Sequence, residues 1–302
     1  TLLGNASIGD GNNILHGPHV QVLTDQQQAR VIGAGSLQAM VETQAGTPPR
    51  PLTVEWSRDV VVDGKANRID VNGDVVVTTA TADGASHALT GESMLMTLAD
   101  VEPDAANVPA AGQGNDGVKT RSAVVPELAQ RKRVESITFE RSVQVTSLRT
   151  AEDGKLLRRF FLRAPRLDYD PQQRQMVVPV AGQLLFEDHP QRPEHADAEA
   201  SQLFGATAMA WEKRLVYDET HRHITLEGNV LIKHQPDEGQ KQPPFELRAQ
   251  TVRAELAESD SDQPAEGELI DRPDLRRLIA DQNVGFKSRD IELTALRIEH
   301  DP

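Results

Sequence analysis

The chain has 302 residues, a formal net charge of −14 and no cysteine, so disulfides, thiol catalysis and cysteine-ligated metal sites are excluded. The acidic excess disfavours binding to nucleic acid or to an anionic membrane surface, because both require clustered Lys and Arg. Hydrophobic residues make up 38% and aromatic residues 4%, which is more typical of thin β-layers with one hydrated face than of a thick globular core.

A nine-residue pattern with apolar residues at positions 1, 3, 7 and 9 recurs along the chain and predicts long β-strands. A side-chain period of two places these four residues on one face of each strand. The centre of the pattern holds Gly, Arg or Gln beside a polar residue in most copies. The copies begin, in chain order, at Val31, Ile69, Ile137, Val178, Ile224 and Leu278.

A second pattern, L-x-[AG]-x-x-apolar, alternates with the first. Its apolar positions change parity after the small residue, so the strand must shift register there through a β-bulge or a corner. Gly or Ala at that point suits close approach of the backbone. The sequence therefore predicts a unit of one long strand, a turn or loop, and a kinked strand that returns beside it. Copies begin at Leu15, Leu89, Leu162, Leu247 and Leu293, at separations of 74, 73, 85 and 46 residues.

The two tryptophans mark an internal duplication. Trp56 and Trp211 each precede, at the same spacing, a nine-residue strand with a central glycine, Gly73 in the first case and Gly228 in the second. An indole suits the rim of an apolar groove, but packing against a neighbouring strand is the favoured interpretation. We expect one continuous elongated β domain over residues 1–302, with a first repeat half at about 1–102, a loop at 103–130 and a second half at about 131–302.

Four segments lack strand periodicity and are rich in Pro, Gly, Ala, Asn or acidic residues. We expect them to extend from the sheet as mobile loops. No apolar run approaches the ~20 residues of a membrane-spanning helix. The chain starts at Thr1 without a methionine, which permits a removed signal peptide or anchor. The four segments are residues 103–130, 187–201, 235–244 and 258–268.

The strand patterns resemble the OstA-like repeat of the lipopolysaccharide-transport proteins LptA and LptC and of the periplasmic part of LptD. The resemblance is clearest where H-I-T-L-E-G-N-V-L-I is followed by L-R-A-Q-T-V-R-A, within residues 206–256, and it extends to residues 160–186 and 54–98. It implies an antiparallel β-jelly roll, open along one side like a taco or a boat, built from tandem repeats with long loops. It also implies a periplasmic location in the envelope of a Gram-negative-type bacterium.

By the same resemblance, inward apolar side chains form a trough for the acyl chains of a glycolipid, and open terminal strands join modules edge to edge. The long strands would present one apolar face to that groove. The same alternation is equally required if this face closes into a sealed core, so both interpretations stand. The candidate groove residues are Ile69, Val71, Val75, Val77, Ile224, Leu226, Val230 and Ile232.

Other site chemistry is weakly indicated. His221 and His223 point to one face of a strand beside Asp218 and Glu219, which could hold a metal, but solvated turn residues are the favoured interpretation. The sequence contains no G-x-S-x-G, P-loop or H-E-x-x-H motif. We therefore expect no catalytic site, no metal and no cofactor.

Terminal strands matter more in such a fold, because unpaired N–H and C=O groups are a template for another chain. The C-terminal strand carries many charges, which could either prevent aggregation or set the register of a docked partner. They are Arg289, Asp290, Glu292, Arg297 and Glu299.

Taken together, the sequence predicts a cell-envelope protein for lipid or lipopolysaccharide transport, or for outer-membrane assembly. It would bind acyl chains on an apolar β groove, dock with other β-jelly rolls by strand addition, and bind no nucleic acid. The alternative is a β-sheet scaffold with a sealed core and no lipid cargo. A hydrolytic or carbohydrate-active enzyme on a β scaffold is a weaker third hypothesis, since no polar cleft with convergent carboxylates is required by the sequence.

Overall fold

A computed structural model describes residues 2–9, 14–41, 50–80, 85–100, 132–151, 153–189, 204–238, 240, 242–256 and 275–300. Within these ranges the chain forms one antiparallel sheet of eighteen strands and one short 3-10 helix at Thr24–Gln26. The prediction of an all-β antiparallel fold is therefore confirmed. No helix in these ranges is long and apolar enough to cross a membrane.

The strands follow one another along the sheet in chain order. The segments predicted as loops at 103–130 and 258–268 lie outside the described residues, whereas the other two begin inside the ends of strands. The strands are β1 (Leu2–Gly9), β2 (Ile14–Leu23), β3 (Gln28–Ile32), β4 (Gly35–Val41), β5 (Arg50–Trp56), β6 (Asp59–Asp63), β7 (Arg68–Ala80), β8 (Ala85–Asp100), β9 (Lys132–Thr150), β10 (Leu156–Asp170), β11 (Gln175–Val178), β12 (Gly182–Asp188), β13 (Gly205–Trp211), β14 (Arg214–Asp218), β15 (His223–Pro236), β16 (Phe245–Leu256), β17 (Leu275–Ser288) and β18 (Glu292–His300).

Eight of the shorter strands are halves of longer ones. β3 and β4 pair end to end along β2, and β5 and β6 pair end to end along β7. β11/β12 and β13/β14 repeat this arrangement between β10 and β15. Counting each such pair once, the sheet is a meander of fourteen long strands, here called rungs, and each rung pairs with its neighbours in the chain.

Most rungs bend near their middle. On five of the seven odd-numbered rungs two successive residues adopt the left-handed conformation, for example Gly73 and Asp74 with φ of 86° and 42°, or Gly228 and Asn229 with 83° and 43°. Glycine adopts this conformation without steric cost, and Asn and Asp tolerate it better than most residues. The ladder between β7 and β8 shifts register between Asn72 and Val75, at that same corner.

On five of the seven even-numbered rungs the corner is the small residue of the second sequence pattern, and on the other two it is a tryptophan, Trp56 or Trp211. Register shifts follow Gly91 in β8, Ala164 in β10 and Ala249 in β16. Each of these small residues pairs across the ladder with a larger one, for example Gly91 with Val75 and Ala249 with Val230. The predicted corner at the small residue is confirmed. The small side chain leaves room for its larger partner on the inner side of the bend.

The two sequence patterns combine into a larger regular unit than the spacing in residues suggests. The kinked L-x-[AG] strands are β2, β8, β10, β16 and β18, which are rungs 2, 6, 8, 12 and 14. Successive kinked strands are therefore four, two, four and two rungs apart. The first two of these separations differ twofold in rungs, although they are 74 and 73 residues long. The duplication is a shift by six rungs, which places rungs 2–8 on rungs 8–14.

The corners fold the sheet over on its own inward face. Val75, Val178 and Val284 all have 0% exposure, although they belong to one sheet. The described residues contain no second sheet and no α-helix that could cover them. We infer that the two arms of each rung, one on either side of the corner, cover each other and enclose the core.

Inward residues form rows that run across the rungs, perpendicular to the strands. Strand β7 contributes Ile69, Val71, Val75, Val77 and Thr79 to rows 1, 2, 3, 4 and 5, in that order. Row 3 lies at the corner, rows 1 and 2 on one arm, and rows 4 and 5 on the other. Row 2 takes one apolar residue from every rung: Leu2, Val20, Val31, Val60, Val71, Met94, Phe139, Leu167, Val178, Leu215, Leu226, Val252, Ala280 and Ile298.

Candidate functional site: the inward face

All eight residues that the sequence predicts to line a groove lie on the inward face. The first four are the β7 members of rows 1 to 4, and the other four are the β15 members of the same rows. The structure thus brings them together as two equivalent sets, one in each repeat. The second set is Ile224, Leu226, Val230 and Ile232.

Exposure differs between the rows. Rows 2 and 3 are closed at these strands, since Leu226 is 2% and Val230 1% exposed, and each such side chain stabilises the fold by ~1.5–3 kcal/mol through burial. Ile69, Ile224 and Val77 are half-buried and pack against the edge of that core. Rows 2 and 3 therefore form a closed core at these strands, whereas Ile69, Ile224 and Val77 keep part of their apolar surface exposed. Exposure does not simply rise with distance from the corner, since Ile232 in row 4 is 3% exposed.

Row 5, the outermost row named here, changes from apolar to mixed polar and aromatic. Register pairs connect it through eleven rungs, from Ala39 to Ser288. The sequence analysis did not identify this row, although strand alternation continues into it two residues beyond the nine-residue pattern. Its polar members are Thr79, His87 and Ser147 on three successive rungs, and farther along the sheet Thr207, His234 and Ser288.

His234 is the most enclosed polar side chain of the row, with 2% exposure. Its Nδ1 lies 2.9 Å from the hydroxyl of Thr207, and its ring centroid lies 5.2 Å from that of Phe245. The Nε2 atom has no hydrogen-bond partner among the described residues. Burial lowers the pKa of His234 below its ordinary value, and the charge of Asp237 opposes this shift only in part. The imidazole is therefore neutral at pH 7.

This lowered pKa makes folding stability pH-dependent. The unfolded chain binds a proton at His234 near pH 6.5, before the folded chain does, so the stability associated with the neutral ring is complete above that pH. It is lost as the pH falls towards the folded pKa, by at most about 1.4 kcal/mol per pH unit for one proton.

Urea unfolding at pH 7.5 and 5.0 measures this pH dependence. Between these two pH values, we expect the free energy of unfolding to fall less for His234→Phe than for the wild type. The exposed His223→Phe serves as the control, and an equal loss in all three proteins would contradict the expectation.

Both tryptophans pack in the corner row, as the favoured interpretation predicts. Trp56 is 4% and Trp211 2% exposed. Their indole N–H groups donate to backbone carbonyls of the neighbouring rung, at 3.1 Å to Gly33 and 2.9 Å to Val180. The rings lie over glycines of that rung and close the corner there.

The two edge strands leave the inward face uncovered. Leu2 ends row 2 on β1 with 48% exposure, and Leu293 ends row 4 on β18 with 49%. Among the described strands, β1 pairs with β2 and β18 pairs with β17, so each has one free edge. Both apolar rows therefore reach an open edge of the sheet.

Several charges of the C-terminal segment are tied to its neighbour. Glu299 pairs with Arg277 of β17, and Arg297 lies 3.0 Å from Glu299 and 3.7 Å from Asp281. These pairs lie on the outward face, where exposed ion pairs contribute only about 0–1 kcal/mol each. Whether they set the register of a docked strand stays a prediction.

Two clefts occupy equivalent positions in the two repeats, and each is lined by outward side chains together with members of row 5. The row 5 members are His234, Phe245 and Ser288 in one cleft, and Thr79 and His87 in the other. One, of about 500 Å³, crosses β12, β13, β15, β16 and β17, and the other, of about 380 Å³, crosses β5, β7, β8 and β9. The larger carries Lys233, Lys287 and Arg289, whereas the smaller has no Lys, Arg, Asp or Glu. Their equivalence indicates that both arise from the shared curvature of the sheet.

The remaining predicted site is a turn. His221 is exposed, its Nδ1 lies 2.9 Å from a carboxylate oxygen of Asp218, and its ring stacks on His223 at 6.2 Å. No group of three His, Asp or Glu suited to a metal occurs in the part of the chain that the structure describes. No protein-family model, curated protein or solved structure matches the chain.

Proposed function

We propose that this chain is a lipid-carrying module of a cell envelope, which holds acyl chains between the arms of its folded sheet. It passes them along the rows and docks edge to edge with partner β-jelly rolls. The observation that carries this proposal is the continuity of the apolar rows, which cross the whole sheet and end uncovered at Leu2 and Leu293. A sealed globular core has no need of such open ends.

The half-buried apolar side chains of row 1 support a groove on the inward face. Close to the corner the arms are in contact, as the low exposure of Val71 and Leu226 shows. At row 1 the side chains are apolar over many successive rungs and half-buried, including Ile69, Ile137 and Ile224. Alkyl chains that lie along this row would remove its remaining apolar surface from water, at about 25 cal/mol per Å².

The resemblance to OstA-like repeats supports the finer parts of the proposal. It suggests a β-jelly-roll architecture, a periplasmic location and a lipopolysaccharide-like glycolipid as cargo. Bending at Gly73 and Gly228 is consistent with that architecture, because it converts a flat meander into two facing arms. The free edges of β1 and β18 are the places for strand addition.

The second candidate function is a scaffold with a sealed core that uses its edges for protein contacts. The near-zero exposure of Val75 and Val230 favours it, because no chain can bind at the corner row without separating the arms. The two functions differ at row 1, which is in contact with lipid only in the first.

Site-specific photo-crosslinking in the envelope fraction separates the two functions. A photoreactive residue at Ile69 or Ile224, both inward and half-buried, should capture lipid. The same residue at the adjacent outward positions, Asp70 and Thr225, should capture little, because alternation turns these side chains away from the groove. Mass spectrometry of the adducts identifies the lipid. Equal labelling at inward and outward positions, or no lipid at any of them, would contradict the groove and leave the scaffold.

A further inference from the structure

We propose that His234 is a specificity-determining residue inside the groove, and that it selects alkyl chains that carry a hydroxyl group over plain ones. This inference rests on the proposed function, which it deepens by naming a chemical feature of the cargo. The site is the second-repeat segment of row 5, where Phe186, Thr207, His234 and Phe245 are consecutive partners across four rungs.

The unpartnered Nε2 atom of His234 is the reason for a polar ligand group. A buried nitrogen without a hydrogen bond costs about 1–3 kcal/mol, so a fold rarely retains one without a use. The neighbours across the ladder leave no other protein group for it, since Thr207 already binds Nδ1 and Phe245 presents only its ring.

The ligand group that binds Nε2 must belong to a largely apolar molecule. Row 4, which is one row closer to the corner, contributes Met209, Ile232 and Leu247 from the rungs of Thr207, His234 and Phe245. Two phenyl rings continue the apolar surface along the rungs, with 5.8 Å between the centroids of Phe245 and Phe286. Lys233, Lys287 and Arg289 share the larger cleft with His234, but their side chains are exposed to solvent. A charged group that enters beside the buried imidazole would lose its hydration, which is unfavourable. A neutral polar group on an alkyl chain fits both surroundings.

A hydroxyl is a neutral group that satisfies the imidazole in either tautomer through a single oxygen atom, because that oxygen both donates and accepts. If Thr207 donates to Nδ1, then Nε2 carries the proton and donates to the ligand oxygen. If Nδ1 donates to Thr207, then Nε2 accepts from the ligand O–H. Phe245 is half-buried beside the imidazole, and we expect its ring to move aside when a chain enters.

The test is a competition between two probes that differ by one hydroxyl, 12-hydroxyoctadecanoate and octadecanoate. The full chain is incubated with equal amounts of both, below their micelle concentrations, and the bound ratio is measured by native mass spectrometry. We expect the wild type to prefer the hydroxylated chain by roughly 3–10-fold, the value of one net hydrogen bond. His234→Phe should bind octadecanoate at least as well as the wild type and lose the preference.

Two further variants make the result specific. His234→Gln keeps a donor and an acceptor at the site and should retain part of the preference, whereas His223→Phe, at the exposed start of β15, should not change it. Equal binding of both probes by the wild type, or an unchanged preference in His234→Phe, overturns this inference alone. Binding of neither probe by a folded wild-type chain overturns the proposed function and this inference with it.

Discussion

Gly205→Ala should lower the free energy of unfolding by about 2–6 kcal/mol, because strain and overpacking act together at this residue. Gly205 has a φ of 122°, a conformation open essentially to glycine alone. A Cβ there would lie 2.8 Å from Pro236 Cα and 2.9 Å from Asp237 N. Since both atoms belong to the backbone, no side-chain rotation relieves the collision. The position begins β13 beside the end of β15, so the damage falls on the arm that carries His234.

Two other glycines are matched controls for this prediction. Gly154→Ala combines a φ of 82° with open space, so it isolates the backbone strain at about 1–2 kcal/mol. Gly285→Ala has neither a positive φ nor a neighbour within 4 Å, and it should change stability by less than about 1 kcal/mol. Urea unfolding followed by far-UV circular dichroism gives the three midpoints. The loss of stability should decrease in the order Gly205→Ala, Gly154→Ala, Gly285→Ala. Any other order would contradict the explanation by strain and backbone collision.

Trp211→Ala should destabilise the protein by about 3–5 kcal/mol, since it removes a fully packed indole and its hydrogen bond from the corner. Gly182→Ala should cost about 1–3 kcal/mol by a related route, because its new Cβ would lie 2.5 Å from Trp211 Cζ2. In the double variant the methyl group enters the space that the indole leaves. We therefore expect the second substitution to cost nothing further, which a double-mutant cycle measures.

The first repeat supplies the contrast. Gly35 lies under Trp56 as Gly182 lies under Trp211, but an added Cβ at Gly35 would also meet the backbone carbonyl oxygen of His16. Removal of the indole cannot relieve that second collision. The coupling between Gly35→Ala and Trp56→Ala should therefore be clearly smaller than in the second repeat. Equal coupling in both would mean that the ring contacts do not determine these energies.

Local alternation was sufficient to predict the strands and the inward face. The nine-residue pattern corresponds to an unbroken strand in β7, β9, β15 and β17, because apolar residues at a period of two specify one buried face. The copies from Val31 and Val178 are each split into two strands. The causes are local: Gly33 has a φ of 95°, and Pro179 lacks a backbone N–H.

The sequence could not predict which of the inward residues are closed and which border an opening. Ile224 and Leu226 occupy equivalent phases of the same strand, yet one is half-buried and the other 2% exposed. Their difference depends on how the arm beyond the corner packs over each row, which strand alternation does not specify. Row 5 was missed for a related reason, because His234 and His87 look like isolated histidines until the register places them in one row.

In this meander, the free energy of folding depends mainly on contacts between neighbouring rungs. Each rung exchanges hydrogen bonds only with the rungs before and after it in the chain, so the stability of the sheet approximates a sum over successive interfaces, as in repeat proteins. Opening should begin at β1 and β18 and move inwards, with the slowest amide exchange near β9 and β10. Because neighbouring rungs run antiparallel, the insertion of a single rung would reverse the direction of the terminal edge strand, whereas an inserted pair of rungs would preserve it.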